Sequence, residues 1–227
     1  MTRPSPAPRR RDGEATARQL IAVAERLFAE RGVEAVSLRE IGKAANSRNT
    51  AVAHYHFGNK EGLVQAIVQA RAADMNVRRR ELLNQAQSAA GDRPLTVEEI
   101  VPILFVPLVE ELDRGTHYVG FLGRLSVERH QAPWTPDIVD EFRSWRDTAE
   151  LLRTALPGLD SRRFSRRRGL ALQLVLGALT ARQAAESVQR ARGSRSDLVT
   201  DLFEAVVGLL VAPVGPHHAD PRVPPVP

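Results

Sequence analysis

The side chains best suited to grip phosphates and read base edges stand close together, between Ser37 and Lys60 in the stretch SLREIGKAANSRNTAVAHYHFGNK. Phosphate contacts need donors held rigidly, whereas base readout needs side chains that reach the groove edges. Ser37, Arg39, His54, Tyr55, His56 and Lys60 are of the first kind. Lys60 also opens a helical stretch, whose first amides add the positive end of a helix dipole. Arg48, Asn49, Thr50 and Val52 are of the second kind. Arginine pairs bidentately with guanine and asparagine with adenine, while threonine or valine touches a thymine methyl. A solvated polar residue is the plain alternative for each of these taken singly; together they gain meaning from the frame that holds them.

That frame is a pair of short helices. Ser37-Leu38-Arg39-Glu40 has capping-box spacing, the hydroxyl accepting from the amide three residues on and the glutamate reaching back. Leu38, Ile41 and Ala45 then recur at intervals of three and four, one narrow apolar face. Asn46-Ser47 breaks the helix, because both side chains compete for backbone hydrogen bonds. A second helical stretch, roughly Asn49 to His56, ends at Phe57-Gly58-Asn59, with Phe57 expected in the core. Two short helices about a tight polar break predict a helix-turn-helix.

Tyr55-His56-Phe57-Gly58-Asn59-Lys60-Glu61 resembles the signature of the tetracycline-repressor (TetR) family of bacterial one-component regulators. The helix from Ala17 to Gly32 and the run Val36 to Ile41 are similar to the family as well, so the resemblance spans residues 14–67. It implies an all-helical fold, a second motif helix lying in the major groove, and phosphate contacts from Lys60 and the aromatic and histidine residues before it. There is one departure. Asn46 stands where glycine is usual, and the segment from Asn46 to His54 is one residue longer than the commonest pattern. Asparagine is the residue that next best tolerates the left-handed conformation.

Little else in the chain carries chemistry. It has no cysteine, which excludes disulfides, thiolate metal sites and cysteine nucleophiles. No phosphate-binding loop, nucleophile elbow or zinc-protease motif occurs. Ser126, Glu128 and His130 are close in sequence, but a triad is defined by geometry that proximity on one helix does not supply. His54 and His56 are two residues apart, as are Glu128 and His130, a spacing that points side chains away from each other on a helix. No catalytic residue, metal site or cofactor is therefore expected. The competing readings are a helical small-molecule enzyme or carrier without DNA binding, and a constitutive architectural DNA binder.

The 227 residues carry a formal charge of +5, with thirty arginines and only two lysines. Arg3, Arg9, Arg10 and Arg11 fall within the first eleven residues, which hold no acid; we expect a disordered basic tail there over 1–11, or a DNA-contacting arm. Residues 12–62 are charge-balanced and form the expected DNA-binding domain of three helices. No apolar run approaches the roughly 18 residues that span a bilayer, and the N-terminus lacks the apolar core of a secretory signal. The chain reads as soluble and cytoplasmic, with no membrane partner.

Residues 63–212 read as a helical body, about nine helices in all for the chain and no strand. Asn59 is an N-cap for a long helix reaching about Ser88, which links the DNA-binding unit to this body. Thr96 to Glu99 is another capping box, and Pro107 should kink the helix that follows. Thr116 to Gln131 reads as the next helix, and Thr135-Pro136 starts another that runs to Ala155. The family resemblance implies a pocket for an unidentified small-molecule effector between Leu95 and Leu156. The apolar candidates are Leu104, Phe105, Leu108, Phe121, Leu125 and Trp145, with His117, Arg124 and Glu128 as polar anchors and gaps left by Gly120 and Gly123. Asp160 caps a helix to about Arg192, and Ser196 to Val211 forms the last. Both are apolar nearly all round over 169–181 and 202–212, which requires burial on every side. Leu170, Leu174, Ala178, Leu202, Val206 and Leu209 are thus expected at a homodimer interface built as a four-helix bundle. The last fifteen residues hold six prolines and read as disordered over 213–227.

Overall fold

A computed structural model describes residues 8–47, 51–128 and 143–213 of the chain, with side chains from residue 13 onward. All of the regular structure in these residues is helical: α1 (Pro8–Arg31), α2 (Leu38–Ala44), α3 (Val52–Phe57), α4 (Lys60–Ala90), α5 (Val97–Asp113), α6 (Tyr118–Glu128), α7 (Arg143–Thr154), α8 (Ser161–Ser187) and α9 (Arg195–Val211). The proposed starts at Thr135 and Pro136, the base-reading candidates Arg48, Asn49 and Thr50, His130 and most of the proline-rich C-terminal stretch lie outside the described residues. Helix α1 begins at Pro8, so Arg9, Arg10 and Arg11 stand on its first turn instead of in the irregular tail expected over 1–11.

Local chemistry sets most of the helix ends. Asn59 and Asp160 accept from the amides of Gly62 and Arg163 at 2.8 and 2.9 Å, and Ser194 accepts from Asp197 at 2.9 Å. Such caps satisfy amides that have no partner within the helix. Gly32 ends α1 at φ 87°, a left-handed conformation without penalty for glycine. Helix α5 runs unbroken through Pro107, although a proline there leaves the Ile103 carbonyl without its usual donor.

The start of α5 is held by a double contact. Glu99 accepts from the Thr96 amide at 2.9 Å and from Arg93 Nη1 and Nη2 at 2.8 and 2.5 Å. The Arg93 hydrogen bonds, then the Thr96 amide, hold its carboxyl at about 2 instead of 4.5. A depressed carboxylate pKa adds stability that is complete above the unfolded value and is lost as pH falls towards the folded one. The melting-temperature gap between the native chain and Glu99→Gln should therefore be constant above about pH 5 and close between pH 4.5 and 2. Thermal melts across that range check it.

One continuous core joins the two parts of the molecule. Leu20, Ala24 and Phe28 of α1 are wholly buried, along with Ile41, Ala53, Leu63 and Ile67 of the small unit. The same cluster runs on through Leu104, Phe105, Tyr118 and Phe121 to Val175, Leu179 and Val206. Helix α1 packs on α6 as well as on its own domain, α6 packs on α8, and α5 on α4 and α9. Gly120 and Gly123 let these helices approach closely. A Cβ at Gly120 would lie 3.2 Å from Ala29 Cβ and 3.2 Å from Gln183 Oε1, and one at Gly123 only 2.7 Å from Thr180 Oγ1. The gaps expected at these glycines are thus filled by α1 and α8.

Candidate nucleic-acid interface

Helices α2 and α3 are held from behind. Ile41, Gly42 and Ala45 of the first and Ala53 of the second are buried. Between them Asn46 takes φ 53°, the left-handed turn that its side chain was expected to permit. Gln19 of α1 donates to the Ala45 carbonyl at 3.0 Å, satisfying the end of α2. Ser37 accepts from the Glu40 amide at 3.2 Å. The reciprocal half of that capping box is replaced: the Glu40 carboxylate bonds Arg31 of α1 instead.

The outward face is polar. Ser37, Arg39 and Lys43 are exposed along α2, and Arg39 and Lys43 sit four residues apart on one side of it. Lys43 is not among the residues singled out from the sequence, although its interval of four from Arg39 is a usable signal. On α3, His54 is exposed and Tyr55 is 83% exposed, while His56 is half-buried with its ring edge-on to Tyr55 at 5.4 Å. Val52 is half-buried and packs on the core, as does Phe57, so the side chain of Val52 faces inward more than a thymine contact requires.

Lys60 has a second role. Its Nζ donates to the Val33 and Glu34 carbonyls at 3.0 and 2.8 Å, and lies 3.8 Å from the Glu34 carboxylate. It therefore clamps the loop between α1 and α2 to the start of α4, with at most one donor left over for a phosphate.

The candidate effector residues fall into two groups. Leu104, Phe105 and Leu108 are buried on α5, and Trp145 of α7 meets Phe105 edge-on at 5.3 Å. Phe121 instead stacks on Phe28 of α1 at 6.3 Å, and Leu125 is buried on the same helix. Arg124 is exposed and donates to the Ala29 and Glu30 carbonyls at 3.4 and 3.3 Å, capping the end of α1. It is a helix-end contact and not a pocket anchor. His117 is half-buried at the same junction, its amide donating to the Glu25 carboxylate at 2.8 Å.

The interface candidates divide as well. Leu202 and Val206 are 5% and 0% exposed within one chain, so they face its own core and not a partner. Ala178 and Leu209 are half-buried, while Leu170 and Leu174 remain 46% and 41% exposed. Gly177 follows on the same side of α8; Ala205, Gly208 and Val211 are exposed on α9. Among the described residues no helix is long and apolar enough to cross a membrane.

Residues 20–67 match the sequence profile of the bacterial regulatory proteins of the tetR family. The HTH-type transcriptional regulator AcrR of Shigella flexneri is 28% identical over 123 residues, covering 52% of this chain and 56% of that protein. The match thus spans little more than half the length of that relative. Two solved structures share the fold at low identity. A tetR-family regulator structure from Shewanella sp. PV-4 has a TM-score of 0.53 at 16% identity, over 84% of this chain and 97% of that one. A gamma-butyrolactone receptor described as ArpA-like has 0.52 at 21%, over 86% and 98%. Residues 20–67 are thus a DNA-binding helix-turn-helix domain of the tetR type, and the chain is similar to transcriptional regulators that carry it.

Proposed function

We propose that the chain is a cytoplasmic, homodimeric repressor that binds a two-fold-symmetric DNA operator and is released by a small-molecule effector. The observation that carries this reading is the outward face of α2 and α3. It presents Ser37, Arg39, Lys43, His54 and Tyr55 to solvent while Ile41 and Ala53 are wholly buried. Arg48, Asn49 and Thr50 enter the major groove in this reading, with His56 and the remaining donor of Lys60 on the backbone. An exposed apolar strip on α8 and α9 supports pairing: Leu170, Leu174 and Val211 beside Gly177 and Gly208, where an added Cβ meets nothing within 4 Å. Glycines facing open space in mid-helix weaken a lone chain, but they let a second helix pair come close. Two-fold pairing would set the reading helices roughly 34–36 Å apart, one turn of DNA, or a multiple of that.

Helix α4 is the transmission element. It begins at the Lys60 clamp and runs 31 residues into the body, about 45 Å at 1.5 Å per residue. Arg71 ties it to Glu25 of α1 at 3.0 Å, and Arg78 ties it to Glu110 of α5 at 2.8 Å. An effector that favours one placement of α4 over another would shift the dimer away from operator spacing.

Gel shifts across a salt series test the contacts. Tyr55→Ala should weaken binding about tenfold, the loss of about 1.5 kcal/mol expected for a hydrogen bond to a charged group. Arg39→Ala and Lys43→Ala should each also flatten the slope of log K against log salt by roughly 0.9. Unchanged affinity and slope in all three would remove this face from the interface.

A further inference from the structure

Among the described residues, buried charges are paired, with one exception. Glu25 and Glu111 are 2% and 0% exposed, and both have arginine partners. Arg79 of α4 is 3% exposed and has no carboxylate partner among the described residues. Its Nη1 donates to Ser144 Oγ at 2.8 Å and its Nη2 makes a long bond to the Leu104 carbonyl at 3.3 Å, while Nε has no acceptor at all. The Tyr118 hydroxyl is the other orphan: its residue is 0% exposed and the oxygen has no partner. Tyr118 belongs to the same buried cluster as Leu104, whose carbonyl Arg79 reaches, and Phe105. Burial lowers Arg79 only to about 10, so the guanidinium is charged at neutral pH, and burial raises Tyr118, which stays a donor.

An unpaired buried charge and two unmet donors all cost stability, and such groups are satisfied when a ligand supplies what is missing. Here the missing group is an anion with acceptor oxygens. Carboxylate oxygens are well matched to guanidinium donors. Beyond Ser144 and the Leu104 carbonyl, the guanidinium has aromatic neighbours: it lies 5.6 Å from the centre of the Trp145 ring, and Trp145 packs on Phe105, which packs on Phe203.

We propose that the effector is a small apolar carboxylate whose acid group is bound by Arg79, with the Tyr118 hydroxyl as a second donor and its body against Leu104, Phe105 and Trp145. The proposal rests on the ligand-responsive reading above and gives its ligand a chemical class. It also places the anion on α4 itself, the helix that begins at the Lys60 clamp, so that the pull of the bound acid is exerted on the transmission element.

Calorimetric titration and thermal melts of the full chain test it, with octanoate and 1-naphthoate as probes and octanamide and 1-naphthamide as their uncharged partners. At least one acid should bind saturably and at least tenfold tighter than its amide. Arg79→Met should melt no lower than the native chain when unliganded and bind acid and amide alike, whereas Arg79→Lys should keep part of the preference. Tyr118→Phe should weaken acid binding several-fold without loss of fold. Equal binding of acid and amide, no binding of either acid, or a large fall in the melting temperature of Arg79→Met would overturn the proposal, the last by showing that an acid of the chain already neutralises the arginine. Gel shifts run in parallel separate this from the parent reading. DNA binding without acid binding defeats the carboxylate alone, and acid binding without DNA binding defeats the regulator.

Discussion

Arg71→Leu should lower the melting temperature by about 10 °C, and adding Glu25→Leu should restore much of the loss. Arg71 stands between two carboxylates that water barely reaches. Its Nε and Nη2 bond Glu25 at 3.0 and 3.3 Å, and Nε lies 3.9 Å from Glu111. Glu111 keeps Arg114 at 2.5 Å and Thr116 at 2.9 Å when Arg71 is lost. Among the described residues, Glu25 then keeps only the His117 amide. Removing one member of a buried pair costs about 3–5 kcal/mol, because the other charge is left without compensation. For a chain of this size each kcal/mol is about 2–4 °C. The double substitution removes the stranded charge as well, and an apolar pair in its place is often neutral or better. The exposed pair of Arg153 with Glu150 at 3.1 Å is the contrast, worth roughly 0–1 kcal/mol. Circular dichroism melts of the two single variants and the double variant decide the matter.

The cluster sits where α1, α4, α5 and the start of α6 meet, so its loss should also loosen the DNA-binding unit from the body. On the proposed ligand-responsive reading, the operator affinity of Arg71→Leu should consequently respond less to effector than that of the native chain.

Gly177→Glu should split the proposed dimer while leaving the subunit folded. A Cβ at this position meets no atom within 4 Å in the single chain, so the side chain has room to point to solvent. Within the helix, glutamate is favoured over glycine by about 0.5–1 kcal/mol. In a four-helix interface the same side chain would place a like charge on both copies at the point of closest approach. A monomer engages one half-site, and losing the linked second contact should lower operator affinity by about 10²–10⁴. Light scattering together with gel shifts checks both halves; a variant that remains dimeric at native affinity would place the pairing surface elsewhere.

What could be read from the sequence was what neighbours in the chain decide. Ser37, Asn59 and Asp160 cap the helices they were expected to cap, because each meets an amide three residues away. Asn46 takes its left-handed turn for the same local reason. The choices made by distant partners were not legible. Lys60 reaches carbonyls 26 and 27 residues earlier, which its helix-start position does not disclose. Arg78, Arg79 and Arg80 look alike in sequence, yet only Arg79 is buried, because Ser144 and Leu104 arrive from α7 and α5. On α9 the repeat of apolar residues is continuous, so that Leu202 and Val206, turned inward, could not be told from outward Val211 until α5 and α8 packed against one side.

The most direct test is selection of DNA from a random library by the purified native chain, followed by sequencing of what it retains at moderate salt. The account predicts enrichment of a two-fold-symmetric sequence whose half-sites lie one helical turn apart or a multiple of that, with the enrichment lost in Gly177→Glu. Retention of DNA with no sequence preference, or of a single unpaired site by a stable monomer, would contradict it.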